Sequence, residues 1–147
     1  EFRVLLERII ETSQNKIEFH EPLFERETLK KEMERASLFI YPSQARQGET
    51  FGLAVLEAMS CGCIPIVSEL PCFADFISFG SEGFCLHERK NQNMEEAIRA
   101  ALSKVIILQE CQKREIGIAA WERSKEYELD KVTQIYLDDF FSLISKQ

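Results

Sequence analysis

Residues 37–68 read SLFIYPSQARQGETFGLAVLEAMSCGCIPIVS. The apolar run LFIY is closed by Pro42, and the loop QARQGET (44–50) leads into an apolar helix pattern near 52–61. Gly62 stops that helix, and IPIVS (64–68) follows as a second apolar strand. Strand, helix, strand is a βα unit, which calls for parallel strands. Neither LFIY nor IPIV alternates with polar residues, as expected where helices cover both sheet faces.

Outward from this unit the alternation continues. Residues 2–13 read as a helix with Phe2, Leu5, Leu6, Ile9 and Ile10 on one face. KIEFH (16–20) reads as a strand ended by Pro22, and 25–36 as a helix with Leu29 and Met33 inward. Beyond IPIVS, a short helix fits 72–78, and Gly80 and Gly83 bracket a turn into the strand GFCLH. Helices near 92–108, through Trp121 to about 127, and from Asp130 through Phe141 complete the chain. The expected fold is α/β: one domain over 1–147, a Rossmann-like doubly wound parallel sheet followed by C-terminal helices. In such folds ligands collect outside the carboxyl ends of the strands, so the loop 42–51 and Ser68–Pro71 should share the binding rim.

The bulk numbers exclude several classes. With 147 residues, 45% hydrophobic and 29% charged, the chain is globular. A net charge of -7 argues against nucleic acid as a partner, though not against a small anion held by backbone amides. No run approaches a membrane span, and EFRVLLERIIETSQ reads as an amphipathic helix rather than a signal peptide. Five cysteines, odd in number and mostly among apolar neighbours, suit reduced thiols in a cytoplasmic chain. Cys61 and Cys63 with the distant His87 match no zinc signature, so no metal is expected.

The chemistry concentrates between Glu49 and Glu57. The first helical turn, around Phe51 to Ala54, leaves amides unpaired at the positive end of the helix dipole, and such an end binds phosphate. Gly52 lets a ligand approach the backbone closely. Glu57, flanked by Val55, Leu56, Ala58 and Met59, reads as a buried carboxylate needing a cation or strong donors, such as paired ribose hydroxyls. Glu49, ahead of the helix, can hold sugar hydroxyls or face a developing positive charge. Equally, Glu57 can pair with Arg46 while Glu49 caps the helix or is solvated. The Leu and Met residues of ETFGLAVLEAM read as core.

The run ETFGLAVLE, continued by AMSCGCIPIVS, resembles the E-x7-E signature of the family 4 retaining glycosyltransferases, enzymes with the two-domain GT-B fold. SLFIYPS, SELPCFADFISFGSEGF and KIEFHEPLFERETLKKEMERA resemble the flanking blocks, so the likeness covers about 16 to 108. The resemblance implies that this chain is the C-terminal, donor-binding half. It implies a nucleotide diphosphate sugar such as a UDP-, GDP- or ADP-sugar as donor, and a glycan or lipid-linked acceptor. Glu49 would contact the donor sugar near the reacting carbon. Thr50, Phe51, Gly52 and Leu53 would offer amides to the sugar and diphosphate, and Glu57 would hold the ribose. Leu23, beside Pro22, would border the nucleobase. Attack on the same face, assisted by the departing diphosphate, requires neither cofactor nor metal.

Departures from the family pattern shape the remaining expectations. HEPLF (20–24) lacks the glycine often found there, and GCIPIV carries one residue more than the commonest version. The family's first two strands of this half, with the basic residues that grip the diphosphate, have no counterpart, nor does the N-terminal acceptor domain. The chain is therefore expected to be a fragment, to receive strands from a partner, or to pair its strands in altered order. The last helix, within 125–147, carries an apolar stripe at Val132, Ile135, Tyr136, Phe140 and Leu143, suited either to the domain junction or to ordinary core. Peripheral membrane attachment stays open, as does a non-catalytic sugar-nucleotide-binding module or partner subunit. An epimerase of the same fold is a third reading.

Overall fold

Leu38–Tyr41 (β1), Ile64–Ser68 (β2) and Phe84–Leu86 (β3) form a parallel sheet in the order β1-β2-β3. In the computed structural model, which describes residues 17, 18, 20–44, 48–87 and 93–145, the register runs from Leu38↔Ile64 to Tyr41↔Val67 and from Ile66↔Phe84 to Ser68↔Leu86. The helices are α1 (Arg26–Arg35), α2 (Leu53–Ser60), α3 (Pro71–Ala74), α4 (Met94–Ile106), α5 (Glu110–Ser124) and α6 (Leu129–Ile144), with a 3-10 turn at Lys125–Tyr127.

The central strand shows why its sequence lacks polar alternation. Successive side chains of a strand point to opposite faces. Ile66 faces a cluster with Leu86 and with Ala97, Ala101 and Val105 of α4. Val67 faces the other cluster, with Val55 and Met59 of α2, Phe73, Phe76 and Ala120 of α5. Helices thus cover both faces, and all five residues of β2 are buried. The fold is α/β with a parallel sheet between helical layers. β1 is only half-buried, with Ile40 exposed, and no other strand pairs with its outer edge among the described residues.

The chain divides into two compact units, Glu1–Glu32 and Met33–Gln147. The described part of the first is irregular through Pro22 and Leu23, then enters α1, where a Glu25 carboxylate oxygen accepts from the Thr28 amide at 3.1 Å. The second holds the sheet and both core clusters. The helix expected at 2–13 lies outside the described residues. The strand expected at KIEFH does not form at its described positions: Ile17, Glu18 and His20 are irregular and exposed. Lys16 and Phe19 lie outside the described residues. The segment has β-forming residues, but strand formation needs a neighbour to satisfy its amides, a condition that local propensity cannot set.

Smaller differences follow the same logic. The helix expected at 72–78 stops at Ala74, and GFCLH supplies a strand of three residues only. α6 runs from Leu129 to Ile144, past the expected end at Phe141, and contains no buried residue. Ile135, Tyr136, Phe140 and Leu143 are all exposed, so core packing among the described residues does not account for the stripe. All five cysteines are free thiols. Burial pushes the Cys63 thiol up to about 11, and its sulfur donates to the carbonyl oxygens of Met33 at 3.2 Å and Ala36 at 3.4 Å.

Candidate functional site

Tyr41 is the last residue of β1, and its hydroxyl donates to a Glu49 carboxylate oxygen at 2.9 Å. The ring is held by Phe39, stacked at 6.2 Å, and by Phe73, edge-on at 6.0 Å. The carboxylate is therefore pinned at the carboxyl end of β1. Its charge also reaches Cys72, in α3 beyond the end of β2, where burial first and then Glu49 raise the thiol above its ordinary value. Glu49 thus sits on the rim shared by the loops after β1 and β2. Sequence reasoning missed Tyr41 and Cys72. The available signal was that a tyrosine ending an apolar strand brings its hydroxyl to the sheet rim.

The hydrogen bond to Glu49, followed by burial and by that carboxylate's charge, holds the Tyr41 phenol above its ordinary 10.0. The folded state therefore retains the phenol proton to higher pH than the unfolded chain does. This contribution to stability is fully present below the unfolded value and is lost as pH rises through the folded one. We predict that Tyr41→Phe costs about 1 kcal/mol at neutral pH. It should also make the decline of stability above roughly pH 10 shallower than in the wild type. Denaturant titrations across that range check both; an unchanged alkaline slope would show that the contact is not formed in solution.

Gly52 precedes α2 with φ 79° and ψ 50°, in the left-handed region. A Cβ there would lie 2.4 Å from Phe73 Cε1. The space that the glycine leaves is thus taken up by the core phenylalanine. Its bareness therefore serves packing and the turn. Phe51 likewise turns its ring inward, against Phe76 at 5.4 Å and Tyr127 at 5.7 Å. What the segment presents outward is its backbone. Gly52, as the N-cap, brings no side chain to cap α2, and its carbonyl accepts from the Val55 amide at 2.9 Å and the Leu56 amide at 3.3 Å. The amides at the start of α2 carry the positive end of the helix dipole.

Glu57 is exposed, which corrects the reading of it as a buried carboxylate. Val55, Ala58 and Met59 form the buried face of α2, while Leu53, Glu57 and Ser60 form its exposed stripe. Glu57 therefore carries no burial cost that a partner must offset. No cation pairs with it among the described residues, and Arg46 lies outside them. Leu53, 65% exposed, is not the core residue expected. Helical side chains lean toward the amino end of their helix, which for α2 is the end that Glu49 precedes. Thr50 is exposed on the loop between them. Leu23 is half-buried within the first unit.

Two further features belong to the second unit. The Ser68 hydroxyl, at the carboxyl end of β2, is buried without a hydrogen-bond partner among the described residues. A groove of about 560 Å³ opens at the amino ends of β1 and β2, bordered by Ser37, Ile64, Gly62, Arg114 and Trp121. Because the strands are parallel, this groove lies at the end of the sheet opposite Glu49.

A family model described as "Glycosyl transferases group 1" matches residues 4–116. The chain belongs to the glycosyl transferases group 1 family. One relative in that context is the GDP-mannose:cellobiosyl-diphosphopolyprenol alpha-mannosyltransferase of Xanthomonas oryzae pv. oryzae. It is 34% identical over 74 residues, which is 50% of this chain and 19% of the relative. Three solved structures share the fold. The sucrose-phosphate synthase from Thermosynechococcus elongatus gives a TM-score of 0.67 at 20% identity, over 95% of this chain and 35% of that one. The pneumococcal O-GlcNAc transferase GtfA, in complex with UDP and GlcNAc, gives 0.69 at 18%, over 96% and 27%. Anabaena HepE, in complex with UDP, gives 0.66 at 19%, over 96% and 36%. This group 1 chain therefore spans between about a fifth and about a third of the length of these proteins.

Proposed function

We propose that this chain is the donor-binding half of a retaining glycosyltransferase that moves a sugar from a nucleotide diphosphate sugar to a glycan or lipid-linked acceptor. The observation that carries the reading is the amino end of α2 at the sheet rim, with Gly52 as its N-cap, set between the pinned Glu49 and the exposed Glu57. Membership of the group 1 family supports it. The names of the relatives, with GDP-mannose in one and bound UDP in two, favour a sugar nucleotide as ligand.

In this reading the amides from Thr50 to Leu53 receive the donor sugar and diphosphate, while Glu57 accepts from the ribose hydroxyls. The acceptor hydroxyl attacks the anomeric carbon on the face from which the diphosphate departs, and its proton passes to the departing phosphate oxygen. Positive charge develops at the sugar as that bond breaks. Fixed dipoles and the Glu49 carboxylate, aimed before the reaction starts, stabilise it without reorganisation. The acceptor domain lies elsewhere in the protein. The exposed apolar stripe of α6, and the edge of β1 that pairs with no other strand among the described residues, supply surfaces for it.

Calorimetric titration of UDP, GDP and ADP into the full-length protein tests the assignment. One nucleotide should bind, and Glu57→Ala should weaken it by about 10- to 100-fold, the worth of a hydrogen bond to a charged group. Equal affinity in the two proteins removes Glu57 from the site.

A further inference from the structure

We propose that Glu69, Cys85 and His87 form a binding site for a borderline-soft divalent cation of the zinc type, at the carboxyl ends of β2 and β3. The three side chains each bring one ligand atom, and these atoms lie within 4.8 Å of one another. The register explains the meeting. Val67 pairs with Cys85 and Ser68 with Leu86, so one further step along both strands sets Glu69 opposite His87. Cys85 and His87, two apart, share a sheet face. His87 Nδ1 already lies 3.4 Å from a Glu69 carboxylate oxygen.

A thiolate, an imidazole and a carboxylate are the ligand types that zinc accepts, at metal–ligand distances of roughly 2.0–2.3 Å. Ligand atoms on such a sphere are separated by about 3.3–3.7 Å in tetrahedral geometry. Rotation of the exposed Glu69 and His87 side chains is enough to close the present spacing, while the buried Cys85 supplies a fixed point. Softness favours zinc over magnesium or calcium, which take oxygen ligands. The fourth position faces solvent and takes a water. As the metal–sulfur bond forms, the thiol proton is released to the buffer. The resulting clamp ties the ends of β2 and β3 together beside the rim, and none of its three residues has a part in the proposed sugar transfer. Cys61 and Cys63, the cysteines nearest to a metal motif in sequence, belong to no such group among the described residues.

The test is titration of the reduced, metal-free protein with cobalt(II), which reports thiolate ligation by a charge-transfer absorption, followed by displacement with zinc. One equivalent is expected to bind with that absorption, and zinc should abolish it. Cys85→Ser should remove the charge-transfer band. His87→Ala, an exposed substitution that leaves the core untouched, should weaken cobalt at least about tenfold while keeping the circular dichroism of the wild type. Glu69→Gln should do likewise. A band that persists in Cys85→Ser, or an affinity unchanged in His87→Ala, overturns the site, and so does the absence of any cobalt–thiolate absorption. Nucleotide binding is measured on the same samples, so failure here is distinguishable from failure of the donor-site reading.

Discussion

Glu49→Gln is expected to reduce sugar transfer by the full-length protein by about 10²- to 10³-fold, the usual loss when one preorganised electrostatic group is removed. Binding of the bare nucleotide should be unchanged. The substitution keeps the size of the side chain and its capacity to accept from Tyr41, and removes only the charge. The bare nucleotide ends at the phosphates and has no sugar for Glu49 to meet, whereas Glu57 serves the ribose. The two glutamates are thus separable: one should move turnover and the other affinity. Steady-state transfer assays beside calorimetry decide it. Retained transfer would show that the carboxylate is a structural partner of Tyr41 only. Loss of bare-nucleotide binding would move Glu49 to the nucleotide itself.

Gly52→Ala is expected to destabilise the domain by about 2–5 kcal/mol, from roughly 1–2 for an alanine in the left-handed region and roughly 1–3 for overpacking. The incoming Cβ meets Phe73 Cε1 at 2.4 Å. Phe73 is fully buried and fixed edge-on against Tyr41 at 6.0 Å and Phe76 at 6.1 Å, so it has nowhere to retreat. In a domain of ordinary marginal stability this is a fall in melting temperature on the order of 10 °C. The control is Gly62→Ala. Gly62 has nearly the same φ of 82°, but nothing lies within 4 Å of its Cβ position. The difference between the two variants therefore isolates the contact with Phe73, and equal losses would show that the ring gives way. Because Tyr41 packs on the same phenylalanine, Gly52→Ala should also disturb the anchor of Glu49 and lower transfer by the protein that remains folded.

Much of the architecture was written locally. The Pro42 stop, the Gly62 stop and the unbroken apolar run Ile64–Ser68 specify a strand, a helix and a strand, because each rests on the geometry of neighbouring residues. The same holds for the long helices, whose spacing and caps lie within one segment; Asn93, for instance, accepts from the Glu96 amide at 2.9 Å to start α4. The pair Glu49 and Glu57 was visible as a pattern of carboxylates around a helix start.

What these residues face was settled only by packing. Apolar neighbours surround Glu57 in sequence, yet α2 lies on the sheet through Val55, Ala58 and Met59, and that choice leaves Glu57 on the outer stripe. The tyrosine that pins Glu49 arrives from the end of β1, and the ring that fills the space beside Gly52 comes from α3, 21 residues on. Glu69 and His87 meet only because β2 and β3 pair in one particular register. The sequence by itself determined most of the elements, since backbone periodicity and turn chemistry act over a few residues. It did not determine the state of KIEFH, whose described positions have no strand to pair with among the described residues. Tertiary structure alone decided which faces are buried and which side chains converge. Those depend on contacts between distant segments, whose free energy no single segment contains.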